Sequence, residues 1–254
     1  MSEILTRPKP WQDELPMHRD NAPEDKLHYR PHQDPHSSHA IVRSLVLQLC
    51  GSGGDKAGGP VLDVGSAQGM LGQSLAGRGI TLDAVEPQAE WAELARPHYR
   101  TVYCNSIESA PLPQGEYAAV VCADVLEHTA DPAAVLARLR QAARPDGSFV
   151  ISVPNVAHFA VRVMLLFGHF PKMQRGILDR SHLQFFTRKT AIELLKGAGL
   201  EARTVRATGV PLEELLRRPP GGLLYSVVSA VQRGAVWMLP WLFGFQWVIV
   251  ADPK

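Results

Sequence analysis

Cysteine is scarce in this chain. Cys50, Cys104 and Cys122 are the only three in 254 residues, and they are too far apart for any zinc-binding pattern, so no metal is expected. Two of them fall in apparent core strands, which predicts buried thiols in a reducing compartment. Excess charge is missing too. Twenty-six Lys and Arg face 25 Asp and Glu, a formal net charge of +1. The two signs are interspersed, so nothing draws the whole chain to nucleic acid or to an anionic membrane. A small-molecule partner is expected instead. The opening residues are rich in proline, histidine and charge and lack the apolar run of an export signal, which predicts a cytoplasmic protein. Residues 235–251 carry no charge, but Pro240 and Gly244 break them and Gln246 sits inside. They read as a helix end, a turn and a final buried strand over 245–251. Peripheral membrane contact by Trp237, Leu239, Trp241 and Leu242 is the alternative.

What is present suffices for a core: hydrophobic residues make up 45%, and the length suits one α/β domain with additions. Residues 1–35 read as a flexible or docking arm and 36–254 as a single domain. A helix over 37–49 leads into a glycine-rich linker over 51–59. Strand and helix patterns then alternate: strand 61–64, helix 69–77, strand 80–85, helix 88–96, strands 101–104 and 118–123. Asp131 can cap a helix with Pro132 at its first position, and Val135, Leu136, Leu139 and Ala143 give it an apolar stripe as far as 145–147. Such alternation, continued by strand 148–153, predicts a doubly wound α/β fold on a parallel sheet. The rhythm stops over 154–186, where aromatics and histidines suggest a substrate cap. Thr187 then caps a helix to Gly199, a strand follows over 201–205, and helices over 212–240, interrupted by a loop at 217–222, precede the closing strand.

Residues 61–72 read Val-Leu-Asp-Val-Gly-Ser-Ala-Gln-Gly-Met-Leu-Gly. A hydrophobic strand ends in an acid and a glycine-bearing turn, and a helix follows at once. Gly65 and Gly69 let the backbone turn sharply and let a nucleotide-type ligand lie against bare main chain. A dinucleotide G-x-G-x-x-G beginning at Gly65 needs glycine at 67 and 70, where Ala67 and Met70 stand. No Tyr has a Lys four residues on, so the short-chain dehydrogenase pattern fails as well. Glu86 ends the second strand twenty-one positions after Gly65, where a carboxylate can accept both ribose hydroxyls of a nucleoside.

Asp63-x-Gly65-x-Ala67-x-Gly69 resembles motif I of class I S-adenosylmethionine-dependent methyltransferases, with Ala in place of the middle glycine. After an apolar strand comes Ala123-Asp124-Val125-Leu126-Glu127-His128-Thr129-Ala130-Asp131-Pro132, which is similar to the corresponding string of ubiquinone-biosynthesis O-methyltransferases and a generic bacterial small-molecule group. Gly176-Ile177-Leu178-Asp179-Arg180-Ser181-His182-Leu183-Gln184-Phe185-Phe186-Thr187 resembles a second string of that bacterial group. The likeness covers about residues 36–207 and the last strand. It implies a seven-stranded Rossmann-like sheet with a last antiparallel strand and S-adenosylmethionine as cofactor. It further implies that Asp63, Gly65, Ser66 and Gly69 surround the methionine part, that Glu86 holds the ribose, and that Asn105, Ser106 and Ile107 read the adenine. Asp124 would lie near the sulfonium end. Asn105 departs from the family's usual Asp, and an amide oxygen accepts the adenine hydrogen bond more weakly.

A hydroxyl acceptor must lose a proton, and histidine suits that task near neutral pH. His128 and His182 are the candidates for the base. His158, Phe159, Met164, Phe170 and Asp179 are expected to contact the acceptor. Val161, Met164, Leu165 and Gly168 also fall at helical spacing, which fits a packed helix equally. O-methylation of a small molecule, such as a natural product, a quinone-like compound or a sugar, is the expected function. N- or C-methylation, an NAD-dependent oxidoreductase and a non-catalytic nucleoside-binding module are the alternatives.

Overall fold

The computed structural model describes residues 37–216 and 221–254. The arm over 1–35, its histidines His18, His28 and His32, His36 beside it, and most of the 217–222 loop lie outside the described residues. The first element is α1 (Ser38–Cys50), followed by β1 (Val61–Val64), α2 (Met70–Ser74), β2 (Leu82–Val85), α3 (Ala89–Ala95), β3 (Thr101–Tyr103) and β4 (Tyr117–Ala123). Next come α4 (Pro132–Ala142), β5 (Ala143–Pro154), α5 (Phe159–Leu166), α6 (Arg188–Gly197) and β6 (Leu200–Ala207). Finally α7 (Leu212–Leu216), α8 (Gly222–Met238) and α9 (Pro240–Phe243) precede β7 (Gln246–Pro253).

The seven strands form one sheet in the order β3-β2-β1-β4-β5-β7-β6. All pairings from β3 to β5 are parallel, and β7 runs antiparallel to both neighbours. Central strands lie between two helical layers, so both faces are chiefly apolar. Leu62, Val64, Val120, Cys122, Phe149 and Ile151 enter one core, while Val61, Ala119, Val121 and Val150 enter the other. Residue by residue, each strand alternates between the two. The second core is closed by α1, whose Val42, Leu45, Val46 and Leu49 follow helical spacing and whose Ser37 side chain caps the Ala40 N–H. On the first face, α4 is capped as expected, with Asp131 Oδ1 accepting from the Ala134 N–H at 3.0 Å and Pro132 opening the helix. A Thr187–Thr190 capping box starts α6.

β7 separates β6 from β5 for a compositional reason. Residues 247–251 are apolar and fully buried, which suits an interior position, whereas β6 carries Glu201, Arg203 and Arg206 and suits an edge. Several boundaries differ from expectation: the helix expected over 69–77 is only Met70–Ser74, the strand expected over 148–153 begins at Ala143, and the end of α4 shifts most tellingly. The stripe ending at Ala143 predicts a helix as far as 145–147, but α4 stops at Ala142 and Ala143 already pairs with Tyr117. Pro145 cannot continue a helix, and the pairing shifts register before resuming at Ser148. The cysteines also need a correction. Cys50 and Cys122 are buried, while Cys104 is exposed just beyond β3. Burial pushes the Cys50 thiol up to about 11.

Within 154–186 the helical spacing is realised as α5. Val161 packs on Ile177 and Leu178, with Val156, Met164 and Phe245 around them, while Leu165 is exposed. Residues 235–251 resolve into the end of α8, α9 and most of β7. Trp237, Leu239 and Trp241 are exposed, and the Arg162 guanidinium lies 5.1 Å from the Trp241 ring centroid. No helix of the described residues is long and apolar enough to cross a membrane.

Candidate active site

Strand order reverses between β1 and β4, and in a doubly wound sheet the crevice beyond the carboxyl ends of such strands is where ligands bind. The turn after β1 sits there. Gly65, Ala67 and Gly69 have φ of +70°, +47° and +84°, so three left-handed residues fold the backbone back within five positions. Glycine meets this demand at two of them. At the third, Ala67 is held by its own N–H, which donates to Glu86 Oε2 at 2.9 Å. Glu86 Oε1 accepts from the Gln88 N–H, also at 2.9 Å. The acid at the end of β2 therefore braces the turn after β1. Burial raises its pKa, against the pull of those two N–H groups.

Behind the turn, the Tyr99 hydroxyl donates to Asp63 Oδ2 at 2.5 Å and accepts from the Gly72 N–H at 3.0 Å. All three are buried. This relay ties the end of β1 to the start of α2, and no motif marks Tyr99 in the sequence. Burial pushes the Asp63 carboxyl up to about 7, opposed by the Tyr99 hydrogen bond and reinforced by the charge of Glu86. An unfolded aspartate ionises near 3.9, so Asp63 contributes most to stability below that pH and its contribution falls as pH rises toward 7. We expect Asp63→Asn to flatten the decline in folding free energy between pH 5 and 7, as read by urea titration at each pH. An unchanged slope would show that Asp63 is not the group responsible.

Two polar atoms of the turn, Ser66 Oγ and Gln68 Nε2, are buried without a hydrogen-bond partner. Together with the Glu86 carboxylate they suit a ligand that is itself polar and bears hydroxyl and amino groups. Asn105 and Ser106 follow β3 and are exposed, with Ser106 Oγ 3.2 Å from Ser109 Oγ, whereas Ile107 is buried in the larger core. Asp124 directly follows β4, at φ +55°. Its Oδ1 accepts from Ser152 Oγ at 2.7 Å and its Oδ2 from Gln246 Nε2 at 2.9 Å, so both oxygens are fixed.

Beyond Asp124, Leu126–His128 form a single 3-10 turn. It abuts the glycine turn: a Cβ added to Gly65 would stand 2.7 Å from Val125 Cγ2. The 176–187 segment docks on it through the Leu183 and Gln184 N–H groups, which both donate to the Glu127 carbonyl, at 2.8 and 3.0 Å. The two strings, some fifty residues apart, thereby meet, and the His128 and His182 rings face each other edge-on with centroids 4.8 Å apart. Burial holds the His182 imidazole below its ordinary pKa. Phe185 lies 6.3 Å from the His182 ring and 5.4 Å from Phe170, extending the cluster into an aromatic wall. Asp179 Oδ1 accepts from the Ser181 N–H and hydroxyl, which orders the turn carrying His182.

Residue-level reading misses Glu127. It is 1% exposed, and burial, then the nearby charge of Asp124, raises its carboxyl well above the ordinary range. The signal was an acid inside the Leu-Glu-His turn, but its isolation is visible only in three dimensions. His158 belongs to a different group: its Nδ1 accepts from the Ala160 N–H at 3.3 Å and caps α5, and its ring contacts Phe159 and Phe245. Phe159 turns to Phe243, with centroids 5.4 Å apart. Met164 packs in the small core under α5.

The methyltransferase domain family matches residues 35–205. The chain is 28% identical to the ubiquinone biosynthesis O-methyltransferase of Thiobacillus denitrificans over 203 residues, 76% of this chain and 79% of that protein. It is 34% identical to the protein of the same name from Xanthomonas oryzae over 122 residues, 43% of this chain and half of the relative's length. Its fold resembles that of Burkholderia thailandensis 1,6-didemethyltoxoflavin-N1-methyltransferase, solved with S-adenosylhomocysteine bound. The TM-score there is 0.54 at 17% identity, covering 86% of this chain and 79% of the other.

Proposed function

From the premise that this chain belongs to the methyltransferase domain family and is an S-adenosylmethionine-dependent enzyme, we propose that it methylates a hydroxyl oxygen of a small-molecule acceptor. The observation that carries this reading is the His128–His182 pair, set against the glycine turn through Val125 and Gly65. When bound, the cofactor supplies a methyl group on a sulfonium, to be taken by an acceptor oxygen in an in-line displacement. In this reading Asp63, Gly65, Ser66 and Gly69 hold its methionine part and Glu86 its ribose. Asn105, Ser106 and Ile107 border the adenine, and Asp124 stands at the sulfonium end with its carboxylate fixed by Ser152 and Gln246.

Alignment of acceptor and methyl is the larger part of the rate, and orientation of this kind contributes roughly 7 to 11 kcal/mol in the best cases. The histidine pair takes the hydroxyl proton, with His128, the more exposed of the two, passing it to solvent. The segment over 154–186 and the helices over 212–240 frame the acceptor, with Phe170 in the wall beside His182 and Phe159, Met164, His158 and Asp179 supporting it.

His128→Ala should lower turnover about 100-fold or more, the contribution usual for a general base. The affinity for S-adenosylhomocysteine, measured by calorimetry, should stay within about twofold, since no part of the cofactor cradle is touched. Unchanged turnover would remove His128 from the reaction.

A further inference from the structure

The geometry points to a binding site for one divalent transition-type cation, with zinc the best match, formed by Glu127, His128 and His182. A Glu127 carboxylate oxygen and one ring nitrogen of each histidine all lie within 4.8 Å of one another.

Three independent features support this. First, Glu127 is buried and neither carboxylate oxygen has a hydrogen-bond partner. An isolated buried carboxylate is among the costliest arrangements in a protein, and a coordinated cation is one of the few things that compensates it. Second, each histidine sets its Nδ1 against a backbone carbonyl, His128 at 3.3 Å from the Ser181 oxygen and His182 at 3.0 Å from that of Ile177. A carbonyl only accepts, so Nδ1 carries the proton and Nε2 keeps its lone pair. Metal-binding imidazoles are oriented in this way. Third, the segments that supply the ligands are tied together by the two N–H groups donated to the Glu127 carbonyl, so the donors are held in place before any ion arrives. Asp124, whose oxygens accept from Ser152 and Gln246, stands outside this group of three donors.

Two imidazoles and one carboxylate suit zinc and its neighbours, whereas magnesium and calcium favour oxygen throughout. Three protein ligands leave at least one position open, as in catalytic zinc sites. Glu127 and His128 stand on the turn whose Val125 abuts Gly65 of the glycine turn. With the ion bound, both Nε2 lone pairs are ligands and the histidines no longer act as base; an acceptor hydroxyl on the ion would be oriented and made acidic enough to lose its proton to solvent. This last role rests on the O-methylation reading, and the ion site itself does not.

The test uses the full-length protein, stripped by chelator and dialysed, then titrated with Zn2+ by calorimetry and with Co2+ as a visible-absorption probe. We expect one equivalent to bind, with the bands of a four- or five-coordinate Co2+. Glu127→Gln and His182→Ala should each weaken binding at least about tenfold, while both variants keep the wild-type affinity for S-adenosylhomocysteine, which reports an intact fold. Should Glu127→Gln fail to fold, the half-buried His182→Ala decides alone. No stoichiometric uptake by the wild type overturns the site. So does uptake that the variants leave unchanged, which would assign the ion to histidines elsewhere. Uptake as expected without methylation of any hydroxyl acceptor would sink the O-methylation reading and leave the ion site standing.

Discussion

Glu86→Ala is expected to raise the dissociation constant for S-adenosylhomocysteine by roughly ten- to a hundredfold, the range for a lost hydrogen bond to a charged group of about 1.5 to 3 kcal/mol. Two contributions act together. The carboxylate offers acceptor oxygens to the ribose hydroxyls, and it already receives the Ala67 and Gln88 N–H groups at 2.9 Å each. Without it, the left-handed Ala67 loses the contact that holds it, and the turn must be ordered again each time ligand binds. Glu86→Gln separates the two, since its amide keeps one acceptor oxygen. Calorimetric titration of the three proteins should rank them wild type, Gln, then Ala. Equal affinities would show that Glu86 braces the turn without touching the cofactor and that the brace is dispensable.

Gly69→Ala should destabilise the fold by about 2 to 5 kcal/mol. A left-handed conformation costs a residue with a Cβ roughly 1 to 2 kcal/mol, and overpacking adds about 1 to 3. Both apply at this position. Gly69 has φ +84°, and the new Cβ would stand 2.9 Å from the Ala95 Cα, a backbone atom with little freedom to retreat. It would also press on the Tyr99 ring at 3.3 Å and so on the hydroxyl that holds Asp63. Urea unfolding would show the loss as a lower midpoint, with cofactor affinity falling in parallel. A variant as stable as the wild type would mean that α3 moves aside freely.

The parallel half of the sheet was legible because strands buried on both faces leave continuous apolar runs, as in residues 117–123, and because caps such as Asp131-Pro132 are local chemistry. The end of α4 was not. Ala143 satisfies the helical stripe and the strand equally, and only its pairing with Tyr117 decides. The glycine turn, Glu86 and the two histidine-bearing strings could be read from short-range patterns. That these strings converge could not, since two backbone hydrogen bonds across more than fifty residues bring them together. Tyr99 and Glu127 escaped for the same reason. What makes them notable is the partner one has and the partner the other lacks, and both are properties of the packed interior. The cysteine rule does not bear on the proposed cation site, whose donors are imidazole and carboxylate.

The place of β7 has a consequence for how the fold is reached. It lies between β5 and β6, so β6 joins the sheet only through residues 246–253, about ninety positions after the strand they pair with on the other side. Until those residues arrive, the outer edge of β5, from Phe149 to Pro154, presents unpaired backbone groups beside an open hydrophobic core. Pairings so distant in sequence form slowly, and an exposed edge of this kind is open to pairing with other chains. The sheet that carries the glycine turn can therefore pair along its β3-to-β5 half before its opposite half closes, and the interval between the two is when a nascent chain most needs protection from its neighbours.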